Sequence, residues 1–148
     1  MTMHSLTKSA IFFAVGHIAQ VKGTQRIADM GGLTETNPVL GWGLILGVVA
    51  IAGLPPLGIF MSEFLVVSST FARAPLLAII LVFGLLIAFG ALTLRLTSLA
   101  FGEPRGSKAS ATASYVPMFA HLALVLVAGI YLPSPLVAWF QHVARLLG

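Results

Sequence analysis

Residues 39 to 72 read VLGWGLILGVVAIAGLPPLGIFMSEFLVVSSTFA, a 34-residue tract whose one formal charge is Glu63. At 1.5 Å per residue an unbroken helix of this length would run roughly 50 Å, well past a ~30 Å hydrocarbon core. The interruption lies in the middle, at Gly53-Leu54-Pro55-Pro56-Leu57-Gly58. Two prolines remove two backbone donors there, and Pro55 pushes Leu54 away from helical geometry. The tract is therefore one discontinuous helix or two short ones, over about Val39–Ala52 and Leu57–Phe71, with the break at Pro55 and Pro56. Backbone groups freed at membrane depth are tolerated only where protein or a wet cavity satisfies them. The break thus marks either an internal polar site or a simple kink.

The rest of the chain supports a membrane setting. Of its 148 residues 58% are apolar, 8% are charged and none is Cys. Soluble domains carry about 25% charged residues, which excludes an ordinary water-soluble globule. Charge-free stretches of 27, 21 and 36 residues lie between Glu35 and Glu63, Arg73 and Arg95, and Lys108 and Arg145. A spanning helix needs about 20. The expected architecture is an all-α, polytopic helical membrane protein, a single membrane domain over residues 1–148 with four to five transmembrane segments, one of them broken by proline.

Working outward, a first helix is expected over about Ser5 to Val21, and a polar linker over Lys22 to Asn37 with paired glycines. Pro38 then sits in the first turn of the next helix, where its missing N–H costs little. Beyond the broken tract, Pro75 to Phe101 forms a full span in which Arg95 snorkels to the interface. Gly102 to Ser114, with Arg105 and Lys108, is a small polar connection. Tyr115 to Leu132 makes the last span, flanked by interfacial tyrosines. After Pro133-Ser134-Pro135 a short helix from Leu136 to Leu147 carries Trp139, Gln141, His142 and Arg145 and suits the membrane interface. If the break separates two passes, Lys22, Arg26, Arg73 and Arg145 share one side and Arg105 and Lys108 the other; a single interrupted pass redistributes them.

Several function classes are excluded. The net charge of +4 is dispersed, so neither a nucleic-acid footprint nor a polybasic lipid anchor is present. Without Cys no iron–sulfur cluster can be held through thiolates. No metal-ligand spacing, phosphate-cradling loop or nucleophile triad occurs, so no metal, no cofactor and no catalytic residue is expected. Met1-Thr2-Met3-His4 offers no basic region of the kind that opens a signal peptide, and the membrane segments themselves are expected to direct insertion.

The remaining ionisable residues inside apolar helices carry the functional reading. Lys8 follows His4 by four residues, so the two share a helix face. Burial disfavours an amine's charged form, so Lys8 either exchanges a proton or snorkels from the start of its segment. The helical neighbours of Glu63 are Ile59, Phe60, Val66 and Val67, all apolar, and it follows the break by one and a half to two turns. Desolvation and a nearby cation push a carboxyl in opposite directions. A Glu held between them changes protonation when a neighbour moves; the alternative is a structural ion pair. His121, two turns into the last span, is a candidate proton relay or a hydrogen-bonding contact between helices. His17, on roughly the opposite face from Lys8, lines another path or faces the interface.

Motifs stand in a recognisable order: His4-Ser5-Leu6-Thr7-Lys8-Ser9-Ala10-Ile11-Phe12-Phe13, with a basic linker after it that ends in Asp29-Met30-Gly31-Gly32-Leu33, then Gly53-Leu54-Pro55-Pro56, then Ser62-Glu63-Phe64. Over residues 4 to about 72 the chain resembles the C-terminal part of the antiporter-like proton-translocating subunits of respiratory complex I, hydrogenase-4 and formate hydrogenlyase complexes and multisubunit cation/proton antiporters, with the hydrogenase-4 component F type the nearest likeness. The resemblance implies a hydrated row of ionisable residues along the bilayer midplane, with the central lysine at Lys8, His4 beside it, and the acid of the interrupted helix at Glu63. It implies a proton half-channel in a redox complex, other membrane and hydrophilic subunits of a hydrogenase or dehydrogenase as partners, and a multi-pass place in a bacterial inner membrane. It also implies a C-terminal fragment, because family members have about fourteen helices in two related halves. Two further readings are a non-conducting membrane scaffold and a part of a cation/proton antiporter.

Overall fold

A computed structural model describes residues 2–106 and 114–146. Helix α1 spans Thr2–Lys22. Its buried residues Thr7, Ala10, Ala14, His17, Ile18 and Val21 recur every three or four positions and form one stripe. Ser5, Lys8, Phe12 and Val15 lie off that stripe and are exposed. A 3-10 turn at Ile27–Asp29 and the one-turn α2, Leu33–Thr36, lead into α3, Pro38–Ile51. After the proline break come α4, Gly58–Arg73, and α5, Pro75–Phe101, then α6, Val116–Ile130, and α7, Ser134–Leu146. Proline opens α3, α5 and α6 within their first turns, where its fixed φ suits the helix and no donor is missed. The described residues are thus all-helical, with an isolated bridge between Gly31 and Arg105.

The core lies where α1 packs against α3 and α6. Ala10, Ala14 and Ile18 meet Leu40 and Leu44 of α3 and Met118 and Leu122 of α6. Small residues let the backbones approach, as they do between helices in membranes; a side chain at Gly43 would run into Met118, and one at Gly47 into Ile11. α4 packs on both α5 and α6, α5 also touches α2 and α3, and α5 is exposed along most of its length.

The polar linker is more ordered than its composition suggests. Met30 and Leu33 are part of the core, and Gly31 and Gly32 lie against the backbone of Gly102, Glu103 and Pro104 so closely that no side chain would fit. Lys22 is the last residue of α1 rather than a linker residue, and it is only 3% exposed. Its ammonium donates to Thr36 Oγ1 and to the Arg105 carbonyl, each at 2.9 Å. Lys108 and the rest of 107–113 lie outside the described residues, as does Leu147.

The contact between Lys22 and Arg105 decides how the broken tract runs. It puts the end of α1 and the end of α5 at the same end of the bundle, reinforced by the Thr34 hydroxyl donating to the Ala100 carbonyl at 2.8 Å. Between those points α3 and α4 together lead away and α5 leads back. The tract is therefore one interrupted pass along the bundle, and the division that placed Lys22 opposite Arg105 does not hold. By length and composition α5 is the one described helix able to cross a membrane alone, and α6 with Ser134–Val143 qualifies as a second, bent by 83°. α3 and α4, of 14 and 16 residues, reach only roughly 21 and 24 Å, because the break divides them.

Candidate functional site

The break is built from turn hydrogen bonds. The α3 ladder ends with Ala52 N–H donating to the Val48 carbonyl at 2.9 Å; Leu57 N–H then donates to the Leu54 carbonyl at 3.1 Å, and Phe60 N–H to the Leu57 carbonyl at 3.0 Å. Gly53 takes a φ of +68°, a left-handed conformation that glycine adopts without steric cost. The segment is held from both sides: Gly58 lies against Met3 of α1 and the Val125 carbonyl of α6, and Gly129 of α6 lies against the Pro56 carbonyl and Leu57.

Glu63, in the second turn of α4, folds its side chain back over the break, where its carboxylate rests on Gly53. Beside it Ser62 Oγ donates to the Ile59 carbonyl at 2.8 Å. Both residues line a half-open cavity of about 410 Å³, which Met3 and His4 of α1, Gly129 of α6 and Phe140 of α7 also line. His4 and Glu63 thus face the same hollow. The structure thus joins an acid and an imidazole, 59 positions apart in sequence, across one hollow at a helix break. On its other side Glu63 borders a second, smaller hollow of about 160 Å³ between α4 and α5, with Val66, Val67, Leu81 and Leu85.

Lys8 does not line either hollow. It sits off the buried stripe of α1, one position after Thr7, and is exposed. His4 shares its side of α1 but, in the first turn, reaches over the cavity. His17 and His121 belong to the seam between α1 and α6. His17 Nδ1–H donates to the Phe13 carbonyl at 2.6 Å, and its ring lies 5.5 Å from that of Tyr115. His121 Nδ1–H donates to the Pro117 carbonyl at 2.7 Å, and its ring lies 5.6 Å from that of Phe13. His17 Nε2 is buried without a hydrogen-bond partner among the described residues. Among those residues no three His, Asp or Glu side chains gather as metal ligands. The buried Lys22 is the ionisable residue that the sequence does not single out; its only signal is its place just before a Gly-rich linker.

Residues 1–90 match the family described as NADH:quinone oxidoreductase/Mrp antiporter, TM. The chain belongs to this family. The NADH:quinone oxidoreductase/Mrp antiporter match covers α1, the interrupted α3–α4 pass and the first half of α5, and so contains His4, Lys8, the break and Glu63. Among its relatives is a hydrogenase-4 component F homolog from Methylacidiphilum infernorum, 62% identical over 147 residues, covering 99% of this chain and 31% of that protein. Formate hydrogenlyase subunit 3 of Escherichia coli is 31% identical over 137 residues, covering 84% of this chain and 22% of that protein. One of the Na(+)/H(+) antiporter subunits of Alkalihalophilus pseudofirmus is 34% identical over 88 residues, covering 58% of this chain and 18% of that protein. The chain spans about a third or less of the length of these relatives. Its membrane character follows from the transmembrane family to which it belongs.

Proposed function

We propose that the chain serves proton translocation in a membrane subunit of a hydrogenase-4-like or complex I-like redox complex, with His4, Lys8 and Glu63 carrying the proton. The observation that carries this reading is the Glu63 carboxylate folded onto the helix break and sharing a cavity with His4. An interrupted helix frees backbone groups at depth, and the hollow they border is where water can hydrate an acid inside the bilayer. Lys8, on the exposed side of α1, would meet helices supplied by the part of the longer relatives that the chain does not cover. His17 and His121, the candidate relays, are assigned to the α1–α6 seam.

In the same reading α1, the interrupted α3–α4 pass, α5 and α6 are four crossings of a bacterial inner membrane, and α7 lies at its surface. The partners are membrane and hydrophilic subunits of a hydrogenase or dehydrogenase, which hold the redox centres. Proton flux into membrane vesicles, followed with a pH-sensitive dye, tests this. Lys8→Met and Glu63→Gln should each abolish flux while the chain still inserts; normal flux in both would refute the role. Loss of complex assembly instead of flux would favour a scaffold. Relatedness to a protein of a Na(+)/H(+) antiporter favours cation/proton exchange as the second reading, which predicts that sodium changes the flux.

A further inference from the structure

The surroundings of Glu63 single out a residue with no ionisable group. A Cβ at Gly53 would overlap Glu63 Oε2 and lie 2.6 Å from Cδ and 3.1 Å from Oε1. Gly53 therefore meets the carboxylate itself, and its missing side chain is the space that the carboxylate occupies. At Gly41 and Gly129, by contrast, an added carbon would run into backbone, of Leu33 and Thr34 or of Pro56 and Leu57, which cannot yield without separating the elements. The far end of a Glu side chain can yield. A methyl group at Gly53 would leave the helices in place and push the carboxylate off the break.

We infer that Gly53 is a positioning residue for the proton-carrying acid: its left-handed turn and bare Cα form the seat that holds the Glu63 carboxylate between the His4 cavity and the hollow between α4 and α5. This deepens the proposed role of Glu63 and rests on it. Two independent features meet at this residue. The φ of +68° brings the chain around so that Cα faces α4, and the absence of Cβ lets α4 send its acid there. Gly23 provides a natural control, because it has the same φ of +68° but nothing within 4 Å of where its Cβ would lie. A side chain at Gly23 carries the same backbone strain and touches nothing.

The test is a set of variants assayed for proton flux in vesicles containing the complete complex, with insertion measured alongside. Gly53→Ala should lower flux about tenfold or more, since displacement of a reacting group by about 1 Å is enough for such losses, while Gly23→Ala keeps flux near the unsubstituted level. Glu63→Asp withdraws the carboxylate by one methylene and makes room. The double variant Gly53→Ala/Glu63→Asp should therefore conduct no worse than Glu63→Asp alone, the non-additivity expected of two residues acting through one contact. The same set should show that Gly53→Ala moves the pH profile of flux and Gly23→Ala does not. If Gly53→Ala fails to insert, Gly53→Asn, which tolerates the left-handed region better, replaces it. Normal flux in the inserted Gly53 variant, equal losses at Gly23 and Gly53, or strictly additive effects with Glu63→Asp would overturn the assignment. Glu63→Gln separates the two levels. If it is silent while Gly53→Ala conducts, only the role of Gly53 is lost; if Glu63→Gln conducts normally, the proposed role of the site falls and this inference with it.

Discussion

The Lys22 ammonium donates to the Arg105 carbonyl at 2.9 Å, joining residues 83 positions apart, and the same ammonium donates to Thr36 Oγ1. One buried cation thus ties together the end of α1, the end of α2 and the loop after α5. Lys22→Met keeps the apolar stem but removes the donor, leaving acceptors without a partner. Such losses cost about 1–3 kcal/mol, so thermal unfolding in detergent micelles should show destabilisation of that size. An unchanged melting temperature would mean that the clamp does not hold the two loops.

Gly129 offers a sharper steric test, since a Cβ there would run into the Pro56 carbonyl and Leu57. Backbone on both sides leaves no flexible group to move aside. Gly129→Ala should cost about 1–3 kcal/mol by overpacking and should loosen the break from α6, read as a lowered melting temperature in detergent micelles. An unchanged melting temperature would show that the break is not clamped by α6.

The helices are legible in the sequence because charge-free stretches, initiating prolines and the Pro55-Pro56 interruption are local signals; Pro75–Phe101 has the same limits in both. The meeting of His4 with Glu63 is not, since only the packing of α1's first turn over the break brings them together. Helical spacing places His4 and Lys8 on one face, and so they are, yet the cavity reaches His4 and stops short of Lys8. Nor could composition show that Met30 and Leu33, inside a polar linker, complete the core, or that Lys22 is buried. These depend on contacts across tens of residues, for which a linear pattern carries no mark.

His17 bears on the division between seam and path. Its Nε2 is buried and unpartnered among the described residues, a placement that costs stability without serving a hydrogen bond. His17→Phe keeps a ring beside Tyr115 and removes that acceptor. Its stability should match or exceed the unsubstituted chain, with flux unchanged. Flux lost in an otherwise stable His17→Phe variant would instead make this residue part of the conducting route.

For α7, the exposed Trp139 and the 83° bend from α6 predict a helix lying along the membrane surface. With Trp42→Phe, the remaining tryptophan should be quenched more strongly by spin labels at the lipid headgroups than by labels deep in the acyl chains. Deeper quenching would turn α7 into a continuation of the α6 crossing.

Infrared titration in lipid bilayers reads the protonation of the acid at the helix break directly. The chain has only four acidic side chains, Asp29, Glu35, Glu63 and Glu103, so a carboxyl band can be assigned by substitution. A carboxyl stretch that changes with pH should vanish in Glu63→Gln and be displaced in His4→Ala. If the pH-dependent carboxyl bands are identical in the unsubstituted chain and in Glu63→Gln, the acid at the break does not exchange a proton, and the proposed route through it is wrong.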